Sequence, residues 1–219
     1  MSSHDSIARA LLEQYGQTFS EELDIAVADN TPSTLFRLLC ASLLFSARIS
    51  TDIALAAARA LFEQGWTSAE KMADSTWEER TRTLNEAGYA RYDESTSRML
   101  GDTVALLLDR YDGDLRNLRE QAERDPAQER ERLKEFKGIG DVGADIFFRE
   151  VQLAWDELFP FADDRALEGA RKLGLPDDAQ GLLDVVGTKE YPQLMAALIR
   201  LQLHNGFDGV RQRAEELDT

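Results

Sequence analysis

One cysteine, two histidines and five lysines in 219 residues leave little room for several kinds of chemistry. The lone Cys40 excludes an intramolecular disulfide and any cluster held by four thiolates. His4 and His204 provide neither a metal-ligand set nor a catalytic triad with spacing support, so no metal and no cofactor are expected. No apolar run approaches the roughly 18 residues of a membrane-spanning helix; the longest, LLCASLLFSA at 38–47, has ten. No membrane partner is implied. MSSHDSIARALLEQ lacks the basic-then-apolar order of a secretory leader, and the expected location is the cytoplasm.

Basic side chains are also scarce. Asp and Glu number 41 against 25 Lys and Arg, a formal charge of −16. That balance argues against a general nucleic-acid binder with an electropositive face. Of the bases, 20 are Arg and only 5 are Lys. A high-salt cytoplasm or a GC-rich genome favours such a composition. In the first case the carboxylates keep the chain soluble, and any DNA contact has to survive strong screening. The plainer reading is a solvated acidic surface with no partner implied. A hydrophobic content of 43 % is ordinary for a globular chain that buries a substantial core.

What is present reads almost entirely at helical period. SIARALLEQYG (6–16) stops at Gly16. PSTLFRLLCASLLFSAR begins with Pro32 at a first helical position and is apolar nearly all round, the pattern of a central buried helix. STDIALAAARALFEQGW has Ser50 or Thr51 as its cap, Asp52 in the first turn and Gly65 at its end. STWEERTRTLNEAGY (75–89) opens with a capping pattern and closes at Gly88. Further helices are expected over 93–110, near 114–124, over 127–136, and near 141–154, 164–173, 177–184 and 191–204. The polar tail after Phe207 reads as a frayed end or a final helix. No segment shows sustained strand alternation, and no repeat of fixed period is present. Trp66, Trp77 and Trp155 read as core or helix-end anchors rather than base-stacking platforms. The fold class is all-α.

The segment LKEFKGIGDVGADIFF (133–148) breaks this regularity with two glycines one residue apart. An apolar helix end at Leu133 and Phe136 is followed by Lys137-Gly138-Ile139-Gly140 and a new helix from about Asp141. Gly138 and Gly140 are free to take positive φ and leave room for an approaching group. Ile139 is placed to tuck into the small hairpin core. The amides around Gly140, Val142 and Gly143 then lie at a helix N-terminus, where a phosphate binds well. Such a contact positions a nucleic-acid backbone without reading its sequence. A C-cap glycine followed by a turn glycine produces the same pattern for purely structural reasons.

This segment resembles the helix-hairpin-helix of the endonuclease III-like DNA glycosylase superfamily, whose hairpin typically reads L-P-G-V-G-x-x-T-A. The resemblance extends over roughly 33–205, with order and spacing preserved. LLCASLLFSARISTDIALAAARALF looks like the superfamily's buried helix, wedge-bearing loop and following helix. NEAGYARYDESTSRMLGDTVALLLDRYDGDL looks like its G-x-x-x-x-K-A-x-x-I segment. The superfamily places a catalytic aspartate at the start of the next helix, about twenty residues past the hairpin. In FPFADDRALEGARKLG (159–174) that position is Asp163.

The resemblance implies a two-lobed helix-hairpin-helix glycosylase fold. One lobe is a six-helix barrel-like domain over 33–140; the other combines 1–32 with 141–219. Arg48, Val142 and Asp163 are expected to line the cleft between them. It also implies a partner, double-stranded DNA carrying a damaged base, with nucleoid association when bound. Arg48 stands where relatives often carry a base-wedging glutamine, and Tyr89 either lines the pocket or covers a helix turn.

The departures from the pattern are equally informative. Bifunctional relatives carry a Schiff-base lysine two residues after the second hairpin glycine, and this chain has Val142 there. No imine to the sugar can form at that position, so a β-lyase route is closed while hydrolysis stays open. The four cluster cysteines of many relatives are absent, and no iron–sulfur cluster is expected. Lys137 replaces the hairpin proline, and Gly143 replaces the threonine. Asp141 follows Gly140, where relatives frequently carry Arg or Lys; as an N-cap it competes with a phosphate for the same amides.

Asp163 is asked to stabilise an oxocarbenium-like sugar or to orient a water at C1′. It also reads as an ordinary N-cap, and the two roles are compatible. Asp164 and Arg165 beside it would pull its ionisation in opposite directions. The sequence therefore points to a monofunctional glycosylase that flips a damaged or mispaired base into the cleft. The alternative is a catalytically silent relative that binds DNA or a protein partner.

Overall fold

A computed structural model describes residues 3–218, and no strand occurs among them. The chain divides into two compact units, one spanning Leu23–Phe147 and the other built from the described residues up to Glu22 together with those from Phe148 onward.

The central unit is organised around α3 (Pro32–Phe45), whose nearly continuous apolar sequence is explained by burial on all sides. Leu35, Phe36, Leu39 and Leu44 are fully enclosed, each contributing roughly 1.5–3 kcal/mol of transfer free energy. Thr31 caps this helix in a reciprocal box with Thr34, and Pro32 occupies the first turn. α4 (Thr51–Glu63), capped by Ser50, packs against it. α5 (Ala69–Ala73) follows, and α6 (Trp77–Leu84) starts at the box formed by Thr76 and Glu79. Its expected continuation to residue 89 is a wider helical turn over Asn85–Tyr89, ended by Gly88 at φ 89°. α7 (Asp93–Tyr111) packs on α5 and α6, and α8 (Leu115–Gln121) and α9 (Pro126–Lys134) lead to the glycine turn.

The second unit joins the two ends of the chain. α1 (Ser3–Tyr15) lies against α12 (Ala179–His204) and α13 (Phe207–Leu217), and α11 (Asp164–Leu173) packs on α12. α2 (Phe19–Glu22) is a single turn whose N-terminal amides are taken by a buried carboxylate: Glu150 accepts from the amide of Ser20 at 2.9 Å and its hydroxyl at 2.6 Å. α12 is broken at Gly187 (φ 75°, ψ 169°), which accounts for the two shorter helices expected from sequence. The tail after Phe207 forms the final helix. α10 (Asp141–Val151) carries the chain from the central unit into this one.

Candidate functional site

The glycine turn sits between the end of α9 and the start of α10. Phe136 and Leu133 are fully buried, and the carbonyl of Phe136 accepts the Ile139 amide at 2.9 Å. That bond closes the turn and drives Ile139 inward, where only 4 % of it stays exposed. Gly138 takes φ 94°, a conformation a side chain resists, and a Cβ there would meet Met99 Sδ at 2.8 Å. Gly140, equally free to take positive φ, keeps an ordinary one, and a Cβ there would meet nothing within 4 Å. The two glycines thus answer different demands. Gly138 is required by backbone and packing, whereas Gly140 faces open space.

The carbonyl of Gly140 accepts the Ala144 amide at 3.0 Å, which makes Gly140 the residue before α10. Asp141 is therefore the first helical residue rather than the cap. The amides of Asp141, Val142 and Gly143 belong to the opening turn, whose donors have no acceptor within the helix. Val142 is 62 % exposed beside them. Gly143 faces the other way: a Cβ there would approach Ser46 Oγ at 2.8 Å and Ile139 at 3.2 Å. Close packing on the end of α3 explains why this position has no side chain.

The cations of the hairpin are already engaged by carboxylates. Lys134 reaches Asp141 at 2.9 Å, and Lys137 reaches Asp102 of α7 at 3.2 Å. Arg130 pairs with Asp145 at 2.6 Å. The Lys134 ammonium holds the Asp141 carboxyl below its usual range, and Asp141 in turn raises the ammonium. These are exposed or half-exposed pairs, weak individually and sensitive to salt.

Arg48 is exposed in the turn between α3 and α4. Tyr89, read from sequence as pocket or core, is a core residue: its ring is fully buried, and its hydroxyl donates to the Leu44 carbonyl at 2.9 Å. Burial pushes that hydroxyl's pKa up to about 12.

Asp163 and Asp164 belong to the other unit. Asp163 is the N-cap of α11, with Oδ1 accepting the Ala166 amide at 2.9 Å. Its second oxygen, Oδ2, accepts from the guanidinium of Arg149 on α10. Both side chains are about nineteen-twentieths buried, at 4 % and 5 % exposed. Asp164 and Arg165 are exposed in the first turn of α11, so the cation beside Asp163 is Arg149, not the neighbouring Arg165. Tyr191 of α12 is enclosed with its ring edge-on to Phe159 at 5.4 Å. Burial, and then the charge of Asp163, push its hydroxyl far above the ordinary phenol range.

Arg149, Asp102 and Tyr191 had no place in the sequence reading. A signal for Arg149 exists in ADIFFREV: a charged pair set among Phe147, Phe148 and Val151 on an apolar helix has to be buried, and buried charge needs a partner. Among the described residues, no group of three or more His, Cys, Asp or Glu side chains converges as a metal site, and no helix is long and apolar enough to cross a membrane.

No protein-family model and no curated protein matches the chain. Two solved structures share its architecture, both complexes of endonuclease III with DNA. A trapped covalent intermediate, described as an estranged-adenine complex, matches with a TM-score of 0.50 and 21 % identity over 76 % of this chain and 73 % of that one. A non-covalent complex matches with a TM-score of 0.51 and 21 % identity over 76 % of this chain and 72 % of that one. With a helical hairpin before α10 and a capping aspartate opening α11, the chain has the all-α helix-hairpin-helix glycosylase fold of endonuclease III.

Proposed function

We propose that the protein is a monofunctional DNA-repair glycosylase, hydrolysing the N-glycosidic bond of a damaged or mispaired base in duplex DNA. The observation that carries this reading is the placement of Asp163. It is a buried carboxylate fixed at the N-terminus of α11 by the Ala166 amide, at the position where the resemblance to the superfamily puts a catalytic aspartate. The opening amides of α10 receive a backbone phosphate, with Gly140 leaving room for it. Arg48, exposed between α3 and α4, fills the gap left by the extruded base.

The reaction asked of the site is simple. A water oxygen forms a bond to C1′, the bond from C1′ to the base nitrogen breaks, and the base leaves with that electron pair and takes up a proton. Asp163 stabilises the cationic sugar or aligns the water. The valine at 142 offers no amine, so the sugar–phosphate backbone stays intact until alkali is added.

A specific observation favours a second reading, a silent relative that binds DNA without excision. The guanidinium of Arg149 neutralises the carboxylate that would face the sugar. For catalysis Arg149 has to move off Oδ2 when substrate arrives; in a silent relative it does not.

The test is base release from a panel of duplexes carrying alkylated, oxidised, deaminated and mispaired bases, at low and molar salt, with wild type and Asp163→Asn. Circular dichroism at the assay temperature establishes that the variant is folded. Release that requires alkali for strand scission and vanishes in Asp163→Asn supports the glycosylase. Binding without release by wild type across the panel supports the silent relative, and release undiminished in folded Asp163→Asn removes Asp163 from the mechanism.

A further inference from the structure

Several exposed arginines of the central unit lie outside its ion pairs. Among the described residues, Arg48, Arg91 and Arg98 form no salt bridge to a carboxylate and are exposed. Arg48 and Arg98 neighbour residues that pack on the glycine turn, and Arg91 is linked through two tyrosines to the end of α3, whose Leu43 lies against Gly138. Ser46, two residues before Arg48, lies against Gly143, where a Cβ would come within 2.8 Å of its hydroxyl. Met99, next to Arg98, lies against Gly138 at the same separation. Arg91 covers the Tyr92 ring at 5.2 Å, and Tyr92 is edge-on to Tyr89, whose hydroxyl is bonded to Leu44 near the end of α3.

Register on α7 fixes the direction of Arg98. Asp102 reaches Lys137 of the turn at 3.2 Å. A residue four positions earlier on a helix occupies the same face, one turn away. Arg98 therefore flanks the turn on the side from which Lys137 projects. The acids beside the turn include Glu94, one turn before Arg98, Asp102, held by Lys137, and Asp141, held by Lys134. Arg82 is also without an ion pair, but it lines a groove with Glu78, Glu86 and Asp93, where an anion is repelled. Elsewhere in the unit Lys71 reaches only the Thr67 hydroxyl, while Arg116 is matched by Asp114 and Arg124 by Glu120.

We propose that Arg91 and Arg98 hold the phosphate backbone of duplex DNA beside the glycine turn, extending the DNA interface from the start of α10 onto the N-terminal half of α7. The inference rests on the DNA-binding part of the reading above, and it is independent of excision. The turn amides hold one phosphate by hydrogen bonding. The two arginines, neither of them ion-paired, supply the positive charge that the turn's paired lysines do not.

The experiment is fluorescence anisotropy of an undamaged labelled duplex across a series of salt concentrations. It compares wild type, Arg91→Ala/Arg98→Ala, and the control Arg116→Ala/Arg124→Ala. Two lost phosphate contacts lower the slope of log K against log salt by about 2 and weaken binding at least tenfold at low salt, while the control stays within twofold of wild type. If wild type binds and Arg91→Ala/Arg98→Ala keeps both its affinity and its slope, the proposed interface is wrong and the DNA-binding reading stands. If wild type binds no duplex at any salt, both fall. Circular dichroism spectra matching wild type confirm that the exposed substitutions leave the helix intact.

Discussion

Arg149 of α10 donates to Oδ2 of Asp163 while the Ala166 amide holds Oδ1, so one buried carboxylate is both a helix cap and half of an ion pair. Such a pair contributes little net stability relative to an apolar alternative, yet leaving one member alone is costly. Asp163→Asn keeps the cap acceptor and strands the Arg149 charge, and Arg149→Met strands the carboxylate. Each change is expected to destabilise by about 3–5 kcal/mol. The double variant should lose clearly less than the sum. Urea denaturation of the four proteins measures this, and strict additivity would show that the pair is not coupled.

The two glycines of the turn should separate stability from binding. Gly138→Ala introduces a side chain at φ 94° and against Met99 Sδ; a loss of at least about 1 kcal/mol is expected. Gly140→Ala meets nothing within 4 Å and should change stability by less than about 0.5 kcal/mol. Its methyl group stands in the approach to the α10 amides, so duplex affinity should fall several-fold. Denaturation and anisotropy on the same two variants check both halves. A Gly140→Ala protein that binds DNA like wild type would remove the phosphate from that position.

Gly143→Ala presses a methyl group onto Ser46 Oγ and Ile139. Overpacking of this kind costs about 1–3 kcal/mol. Removing the hydroxyl in Ser46→Ala/Gly143→Ala should recover part of the loss, and thermal unfolding of the single and double variants gives the coupling directly.

Alkaline unfolding should report Tyr89. Its folded pKa, raised to about 12, lies above the ordinary value of 10.0. The folded state therefore holds this proton more tightly than the unfolded state does. The resulting stability is intact below pH 10 and is lost as pH rises toward 12. Tyr89→Phe should flatten that part of the profile of melting temperature against pH. Tyr191 and the buried thiol of Cys40, both shifted in the same direction, add to the slope.

Much of this architecture is legible in local sequence, because local physics specifies it. Caps such as Ser50 and the Thr76–Glu79 box, the stop at Gly88, the all-round apolar α3 and the tucked Ile139 each follow from residues within a turn of one another. Asp163 as an N-cap is of the same kind. The partner of Asp163 is not, since Arg149 stands fourteen residues earlier on another helix and only packing brings the two together. The roles of Gly138 and Gly140 also look identical in sequence and diverge once Met99 is known to lie behind one of them. Lys137 reads as a free cation until α7 supplies Asp102.

The lysines of the turn begin with a counterion that is part of the protein. On the proposed DNA-binding role, a phosphate that takes Lys134 or Lys137 has to evict Asp141 or Asp102, and the evicted carboxylate gathers a cation from solution. Cation uptake at the protein then offsets cation release from the nucleic acid. Contacts of this exchange type change little in strength as salt rises, whereas unpaired arginines carry the full salt dependence. A binding surface built from both keeps a grip on its anionic partner in brine without becoming indiscriminately adhesive in dilute buffer.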